Sequence, residues 1–320
     1  MREVRYHHIE IGETEAGMRL DQALARHFTA YSRSALKAWI DAGQVTLNSR
    51  PCRPRDPVRP GDKVHLTAIL EASNDLLAEA VDFDVVHADN DCIVVDKPVG
   101  CVVHPGAGIS HRTLANGLLY RFPELERLPR AGLIHRLDKD TSGLLIVART
   151  GAAFQRLTRD MAARKIKRTY DALATGRFIT GGTINAPIGR DPANRTRMSV
   201  RAGGRSAVTH YRITAKYRVH TLLEIRLETG RTHQIRVHFA HVGHPIVGDS
   251  RYGARLILPT GPDPALERCL RGFTRQALHA RRLAFEHPTH GGTITVESPM
   301  PADMIELLGA CAQDLVAAQK

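Results

Sequence analysis

Residues 131–143 read Ala-Gly-Leu-Ile-His-Arg-Leu-Asp-Lys-Asp-Thr-Ser-Gly, and an apolar strand pattern, Leu-Leu-Ile-Val-Ala at 144–148, follows directly. The first stretch, called here the polar segment, carries two carboxylates, three cationic or potentially cationic side chains and two hydroxyls. Polar groups beside a core strand need hydrogen-bond partners, because burying one unpaired costs on the order of several kcal/mol. Chains accept such an arrangement mainly where chemistry is done, so the polar segment is the first candidate for an active site.

The composition is that of an ordinary soluble globular protein, with 42% hydrophobic and 24% charged residues in a chain of 320. A chain of this length buries a sizeable core and predicts two domains. No stretch has the length of a membrane span and the first residues lack an apolar signal core, so we expect a cytoplasmic protein. The five cysteines have no paired spacing and are interpreted as reduced, structural residues.

The formal net charge of +12 indicates a polyanionic partner. Residues 1–65 carry a net charge of +3 and residues 66–100 one of −7, so residues 101–320 carry +16. The positive field therefore belongs mostly to the part of the chain that holds the polar segment. Charge alone does not separate RNA from DNA as the partner, nor either of them from a role of the charge in solubility.

The first 66 residues predict a compact module of two helices and a small sheet. Apolar residues at helical spacing predict a helix over 20–28, and a second helix is expected between an N-cap at Ser32 and a stop at Gly43. A short strand at 45–47 is followed by a turn and a closing strand at 58–66.

After an acidic segment, 76–90, which we interpret as a linker, strand and helix patterns continue to the C-terminus. Apolar runs predict buried strands at 92–96 and 144–148, and alternation at 221–228 predicts a strand with apolar and charged residues on opposite faces. Further helix or strand patterns occur at 154–162, 170–174 and 230–243. The predicted fold class is α+β, with a small N-terminal helix-strand module and a larger domain whose mixed, mainly antiparallel sheet is flanked by helices.

Three other kinds of site are not expected. His238, His241 and His244 are spaced by three on a predicted helix, but no cysteine or carboxylate joins them at metal-ligand spacing. The glycine pair in Gly106–Gly108 lacks the lysine and the Ser/Thr of a phosphate-binding loop. Ser142 lacks the context of a nucleophile elbow, which argues against a serine hydrolase.

Asp138 remains the candidate for chemistry. An aspartate paired with an arginine stays ionised at neutral pH, and a desolvated carboxylate is a usable nucleophile. From the residues alone a second interpretation is equally good: Arg136, Asp138 and Asp140 form a buried salt-bridge network that only fixes the loop.

Several blocks of sequence, in order along the chain, resemble signatures of RNA pseudouridine synthases of the large-subunit rRNA family. The two longest are His135–Gly143 and Gly230–His238. Lys97-Pro98 with His104-Pro105-Gly106, and the block Gln276–Ala280, match further signatures. With the N-terminal module, the resemblance runs from about residue 17 to the C-terminus.

The N-terminal pattern is similar to a small RNA-binding module, the S4-like module, shared by a ribosomal protein and several RNA-modifying enzymes. Ser49 departs from it, since that family usually has glycine after the asparagine. The resemblance implies an RNA-binding domain at 1–75, a linker at 76–90 and a catalytic domain at 91–320. It implies that the module contacts RNA through Arg19, Arg33 and Lys37.

The resemblance implies isomerisation of a uridine within RNA, in which the C1′–N1 bond breaks and C1′ joins C5, with no cofactor and no metal. Asp138 matches the family's catalytic aspartate, which adds to C1′, adds to C6 of the base or abstracts the C2′ proton; these routes stay open. Tyr170 matches the tyrosine that lies against the uracil and helps to remove the C5 proton. Arg236 matches the basic residue that pairs with Asp138.

Other residues are implied in RNA binding. A target inside a stem-loop must flip out of its stack, and Arg136 is expected to enter the gap. His135, Arg231 and His233 are expected to bind phosphate or support the loop. Sequence-independent attraction to the RNA backbone is expected from Arg164, Lys165, Lys167, Arg168, Arg195, Arg197, Arg201 and Arg205, and such binding weakens with salt.

The expected partner is large-subunit rRNA, as a stem-loop in free rRNA or in a pre-ribosomal particle, bound by a monomer away from membranes. One alternative keeps the chemistry but changes the target to another RNA such as tRNA. Another is a non-catalytic rRNA-binding assembly factor that kept the fold. This last alternative predicts a broken catalytic set, whereas Asp138, Tyr170 and Arg236 are all present.

Overall fold

The computed structural model describes residues 2–28, 31, 33–71, 76–106, 109–194, 196–253 and 255–319. The predicted N-cap Ser32, Gly108 of the glycine pair and Arg195 lie outside the described residues. Contacts group the chain into two units, Met1–Asp75 and Leu76–Lys320. No α-helix among the described residues is long and apolar enough to cross a membrane.

In the N-terminal unit two helices pack on an antiparallel sheet. The helices are α1 (Leu20–His27) and α2 (Arg33–Asp41), and the strands are β1 (Arg2–Glu10), β2 (Val45–Leu47), β3 (Arg50–Pro51) and β4 (Lys63–Glu71), in the order β1-β4-β2-β3. The apolar stripe of α1, Leu20 and Leu24, is fully buried in the core of this unit together with Leu36. Asn48 and Ser49 both have positive φ, 52° and 62°, in the turn between β2 and β3. Ser49 therefore adopts the left-handed conformation that glycine would adopt more easily.

The second unit is built on one large sheet. Its strands are β5 (Asp84–Ala88), β6 (Cys92–Lys97), β7 (Ser142–Ala148), β8 (Lys167–Thr175), β9 (Gly182–Asn185), β12 (Val208–Lys216), β13 (His220–Leu227), β14 (Leu278–Glu286) and β15 (Thr293–Glu297). The order is β5-β6-β7-β14-β8-β13-β12-β9, with β15 on β14. A separate hairpin joins β10 (Ile188–Arg190) to β11 (Met198–Val200).

Helices cover both faces of this sheet. They are α3 (Leu114–Arg121), α4 (Gly151–Ala162), α5 (Gln234–His241), α6 (Pro264–Gly272) and α7 (Ala302–Ala317). Successive residues of β7 point to opposite faces, so Leu145 and Val147 join the core that includes Phe239 of α5, whereas Leu144 and Ile146 join the core that includes α4. The predicted α+β class with a mixed, mainly antiparallel sheet is confirmed.

The strand that follows the polar segment pairs in parallel with β14, unlike the other paired strands of the described sheet. Ser142 lies opposite His279, and Gly143 lies opposite Ala280. Gly143 has φ of 111°, and a Cβ at this position would come within 2.4 Å of the carbonyl oxygen of Ala280. Only glycine lets the two strands approach so closely here. Gly143 therefore fixes the position of the C-terminal end of the polar segment against β14.

One sequence expectation needs correction. The predicted linker 76–90 contains β5, whose Val85 pairs with Val95 of β6 and packs against the hydrophobic core of the second unit. The predicted strand at 221–228 is β13, and its apolar and charged residues lie on opposite faces as expected, with Leu223 and Ile225 in the core and Glu224 and Arg226 on the other face. Glu224 is buried because three arginines surround its carboxylate: Arg212, Arg226 and Arg281.

Candidate active site

A buried lysine, Lys97, binds the backbone of the polar segment. Lys97, at the end of β6, is fully buried and donates from Nζ to three backbone carbonyls, those of Pro98, Cys101 and Lys139, at 2.7, 3.0 and 2.8 Å. Burial lowers the pKa of Lys97 to about 8. The contact with Lys139 fixes the backbone one residue after Asp138.

Side chains from β14 and the residues before it hold the end of the polar segment. Gln276 donates from Nε2 to Oγ1 of Thr141 at 2.9 Å. Oγ of Ser142 lies 2.9 Å from Nδ1 of His279. The expectation that these polar groups are hydrogen-bonded is therefore met, by partners that lie 135 and 137 residues away in the chain.

Asp138 forms an ion pair with Arg236, as the resemblance predicted. Nη1 of Arg236 donates to Oδ2 of Asp138 at 2.8 Å, and the Asp138 side chain is 17% exposed. Arg136 is exposed and does not pair with Asp138, so the alternative network of Arg136, Asp138 and Asp140 does not form. The two charges come from elements 98 residues apart, the polar segment and α5.

Asp249 fixes the guanidinium of Arg236 from the other side. Nε and Nη2 of Arg236 donate to the two oxygens of Asp249 at 2.7 and 2.8 Å. Asp249 also accepts the backbone N–H groups of Arg251 and Tyr252, both at 3.0 Å. Burial alone would lower the pKa of Arg236, but hydrogen bonds and charge from its two carboxylate partners raise it, so the arginine is a permanent cation.

His233 lies against the second oxygen of Asp138. It has φ of 57° and precedes α5 directly, and its Nε2 is 3.8 Å from Oδ1 of Asp138. The hydroxyl oxygen of Tyr252 accepts the N–H of Met198 at 2.9 Å and lies 2.6 Å from Nδ1 of His233, so a hydrogen bond with Tyr252 fixes the orientation of the ring. Burial lowers the pKa of His233, which favours the neutral ring.

A cavity of about 410 Å³ opens in front of this carboxylate. Asp138, Tyr170 and Arg236 all line it, so the structure brings together the three residues of the predicted catalytic set. Tyr170 lies on β8 opposite Ile225 of β13, and it is 4% exposed. Burial raises the pKa of its phenol, so the hydroxyl is protonated at neutral pH.

His135 binds the backbone of β7 at Ile146 as well as lining the cavity. Its Nε2 accepts the backbone N–H of Ile146 at 3.2 Å. Burial lowers the pKa of His135 to about 3, so the ring is neutral and its proton lies on Nδ1. Nδ1 is buried with no hydrogen-bond partner among the described residues. His135 therefore contributes a neutral ring to the site, not a charge for phosphate.

Arginines surround the cavity opening. Arg136 and Arg231 line the cavity, and Nε of Arg231 donates to the carbonyl oxygen of Ser206 at 3.0 Å. Arg164 also lines it, but its charge is compensated by Glu228 at 2.6 Å. The cavity thus has one carboxylate deep inside and a predominantly positive border.

In the N-terminal unit the three predicted RNA contacts differ in their surroundings. Lys37 is exposed on α2. Arg19 is partly exposed and Arg33 is exposed, but both lie near the buried carboxylate of Asp21, at 2.9 and 3.5 Å. Burial alone would raise the pKa of Asp21, and the two arginines lower it. Part of the positive charge predicted for this surface is therefore compensated within the unit.

The three histidines at 238, 241 and 244 do not meet at a common point. His238 is fully buried, with its ring nitrogens 2.9 Å from Oγ1 of Thr209 and 2.9 Å from the carbonyl oxygen of Ala186. His244 instead reaches the carbonyl oxygen of Thr175 at 2.9 Å. Both are engaged in structural hydrogen bonds.

Sequence reasoning missed Asp249 and Tyr252. A signal for them exists in Gly248–Gly253, where a carboxylate and a tyrosine stand between two glycines after an apolar pair. Both glycines are required by space: a Cβ on Gly248 or Gly253 would come within 2.1 Å of a backbone carbonyl oxygen. A tight turn with a buried carboxylate is a place where a cation must be bound.

Family models match two parts of the chain. The model described as RNA pseudouridylate synthase matches residues 91–241, and the model described as S4 domain matches residues 18–64. The first contains Asp138, Tyr170 and Arg236, and the second contains Arg19, Arg33 and Lys37.

Curated relatives match nearly the whole chain. A protein of Xanthomonas campestris named ribosomal large subunit pseudouridine synthase D is 48% identical over 304 residues, which are 95% of this chain and 92% of the relative. Proteins of the same name from Pseudomonas aeruginosa and Escherichia coli are 46% and 47% identical, over 93% and 95% of this chain and 93% and 94% of their own lengths.

Solved structures have the same fold. The structure of human RNA pseudouridylate synthase domain containing 1 superposes with a TM-score of 0.53 at 27% identity, covering 68% of this chain and 83% of the human one. Human RNA pseudouridylate synthase domain containing 4 gives a TM-score of 0.56 at 22% identity, covering 71% and 92%, which supports the fold alone.

Proposed function

The chain belongs to the RNA pseudouridylate synthase family, and from this premise we propose that it converts uridine to pseudouridine at specific positions of large-subunit ribosomal RNA. The observation that carries the proposal is the position of Asp138: Arg236 binds one of its oxygens at 2.8 Å, and the side chain lines a cavity together with Tyr170. Curated relatives of about the same length carry a name that specifies the large ribosomal subunit.

The reaction rearranges bonds within one nucleotide. The C1′–N1 bond breaks, the uracil turns, C1′ bonds to C5, and the C5 proton is transferred to N1 in the net balance. Asp138 performs the first step by adding to C1′, by adding to C6 or by taking the C2′ proton. No further reactant is needed to balance the reaction.

Tyr170 and Arg236 have different roles in this scheme. Tyr170 forms the wall of the cavity against which the uracil lies, and its protonated phenol is placed to exchange a proton with the base late in the reaction. Arg236 does not need to touch the substrate. It is a positioning residue, because it fixes the orientation of Asp138 while Asp249 fixes the arginine.

A uridine reaches this cavity only when it leaves the RNA stack. We propose that Arg136, exposed beside the cavity, enters the gap left by the base, since a planar guanidinium stacks on neighbouring bases and binds phosphate. The S4 match supports RNA as the partner of the N-terminal unit. We propose that the substrate is a stem-loop of free rRNA or of a pre-ribosomal particle, bound by a monomer in the cytoplasm.

The proposal is tested by mapping pseudouridine in ribosomal and transfer RNA from cells with the wild-type gene, without the gene and with Asp138→Asn. The expected result is loss of specific large-subunit rRNA sites in the deletion strain and the Asp138→Asn strain. Loss of tRNA sites alone would assign the enzyme to tRNA instead. Full modification by Asp138→Asn would remove Asp138 from the reaction, and no lost site at all would favour a non-catalytic assembly factor.

A further inference from the structure

Arg168 is a buried cation without an anionic partner. Three arginines are buried among the described residues, namely Arg168, Arg236 and Arg275. Arg236 binds two carboxylates, and Arg275 binds both oxygens of Asp303 at 2.6 and 2.7 Å. Arg168 is only 8% exposed, yet its Nε has no hydrogen-bond partner, and the described residues offer it no carboxylate.

The guanidinium of Arg168 belongs to the wall of the active-site cavity. Arg168 lies on β8 two residues before Tyr170, so both side chains leave the strand on the same face, and both line the cavity. Nη1 of Arg168 lies 2.7 Å from the point where Gly230 would carry a Cβ. Gly230 has no side chain, and the guanidinium of Arg168 occupies the space that a side chain there would need.

The cavity provides no carboxylate to neutralise this charge. Its two lining carboxylates are already engaged, Asp138 with Arg236 and Glu228 with Arg164 and His210. Burying an unpaired charge is costly, and proteins accept the cost where a charged ligand completes the pair. The ligand that fits this site is thus an anion that enters the cavity with the substrate.

We propose that Arg168 binds a phosphodiester group next to the flipped uridine, so that the cavity recognises the nucleotide by its backbone only after it has left the RNA stack. This inference rests on the proposed function. A phosphodiester carries a permanent charge on two oxygens, which match the guanidinium fork. The uracil is a weaker candidate, because it is neutral until its bond to C1′ breaks and would leave Arg168 unpaired in the bound ground state.

The first test compares variants on a stem-loop RNA that contains the mapped uridine. Arg168→Gln is expected to lower kcat/KM by about 10- to 100-fold, the value of a charge-assisted hydrogen bond. Arg168→Lys keeps the charge without the fork and is expected to recover part of that loss. The matched control is Arg282→Gln, the same substitution at an exposed arginine of the neighbouring strand β14 that does not line the cavity, and it is expected to change kcat/KM by less than about twofold.

The second test removes the charge from the RNA instead. The phosphodiester linkages on the two sides of the target uridine are replaced, one at a time, by an uncharged methylphosphonate. The nucleotide on the 5′ side of that linkage carries 2′-deoxyribose in both the modified RNA and its phosphate control. Dissociation constants are measured for Asp138→Asn and for Asp138→Asn with Arg168→Gln, so that no chemistry intervenes. At one of the two linkages the methylphosphonate is expected to raise the dissociation constant of the Asp138→Asn protein about 10- to 100-fold. It is expected to leave the dissociation constant of the double variant, which also carries Arg168→Gln, unchanged.

The outcomes separate the possibilities. Arg168→Gln behaving like Arg282→Gln, or neutral linkages that weaken binding equally with and without Arg168, would overturn the assignment. A loss of kcat in Arg168→Gln with unchanged RNA affinity would assign Arg168 to the departing uracil and would also overturn it. If Arg168→Gln does not fold, the linkage series with Asp138→Asn alone decides, since no effect at either linkage contradicts the proposal. A wild-type protein that forms no pseudouridine in this RNA would overturn the proposed function instead.

Discussion

Arg236 and Asp249 form a bidentate ion pair, in which Nε and Nη2 of the arginine lie 2.7 and 2.8 Å from the two carboxylate oxygens. The remaining guanidinium nitrogen, Nη1, donates to Asp138. The carboxylate at the centre of the site is therefore oriented by an arginine whose own position is fixed independently of the substrate. Because the Asp249 side chain has no solvent exposure, the pair cannot be broken from one side without leaving a buried charge.

Replacing Arg236 is expected to affect both activity and folding. Arg236→Ala leaves Asp249 buried and unpaired, which costs about 3–5 kcal/mol of stability. Arg236→Lys retains one charge but cannot bind both carboxylates with the same geometry, so we expect a smaller loss of stability and a fall in kcat of about 10- to 100-fold. Urea unfolding and single-turnover assays on the same preparations separate the two effects. An Arg236→Lys enzyme with the wild-type rate would show that the orientation of Asp138 does not limit the reaction.

Lys97 predicts a pH dependence of stability. Its pKa is about 8 in the folded chain and 10.5 ordinarily, so between these values the unfolded chain binds more protons and stability rises with pH. At about 1.36 kcal/mol per pKa unit, the full effect is about 3 kcal/mol. The difference in unfolding free energy between the wild type and Lys97→Met should therefore increase from pH 7 to pH 10, as measured by urea titration. A difference that stays constant over this range would contradict the burial of a charged Lys97.

Gly230→Ala is expected to reproduce the loss of activity in Arg168→Gln. The added methyl group would lie 2.7 Å from Nη1 of Arg168 and push the guanidinium out of its position. The matched control is Gly151→Ala at the start of α4, where an added Cβ meets no atom within 4 Å. Combining Gly230→Ala with Arg168→Gln should lower kcat/KM little further. Losses that multiply in the double variant would show that Gly230 acts independently of Arg168.

Deletion of Met1–Asp75 is expected to weaken RNA binding and leave the second unit folded. The second unit has hydrophobic cores of its own, built from described residues of Leu76–Lys320. The truncated protein should keep its circular dichroism spectrum and cooperative unfolding, and its RNA affinity should fall less steeply with salt because fewer phosphate contacts remain. Arg33→Gln with Lys37→Gln in the full chain tests whether these exposed charges carry the effect. Unchanged affinity in the truncated protein would exclude the first unit from RNA binding.

The sequence predicted the parts of the site that depend on local pattern or on family motifs. Periodicity located β7, and the resemblance identified the Asp138–Arg236 pair, which spacing along the chain alone would not have favoured over Arg136. It did not predict Asp249 as the residue that fixes Arg236, nor the burial of Glu224 under three arginines. Both depend on side chains that meet only when distant strands and turns are assembled. Neither contact produces a periodic pattern in the sequence.

The hydrogen bonds that hold the end of the polar segment have a consequence for synthesis of the protein. Thr141 is bound by Gln276 and Ser142 by His279, near the end of the chain. A nascent chain that has emerged only to residue 270 already contains Asp138, Tyr170 and Arg236, but it lacks both of these partners and all of β14. Catalytic competence therefore arises only after residues 276–286 have been synthesised, when β14 pairs with β7 and completes the site around the aspartate.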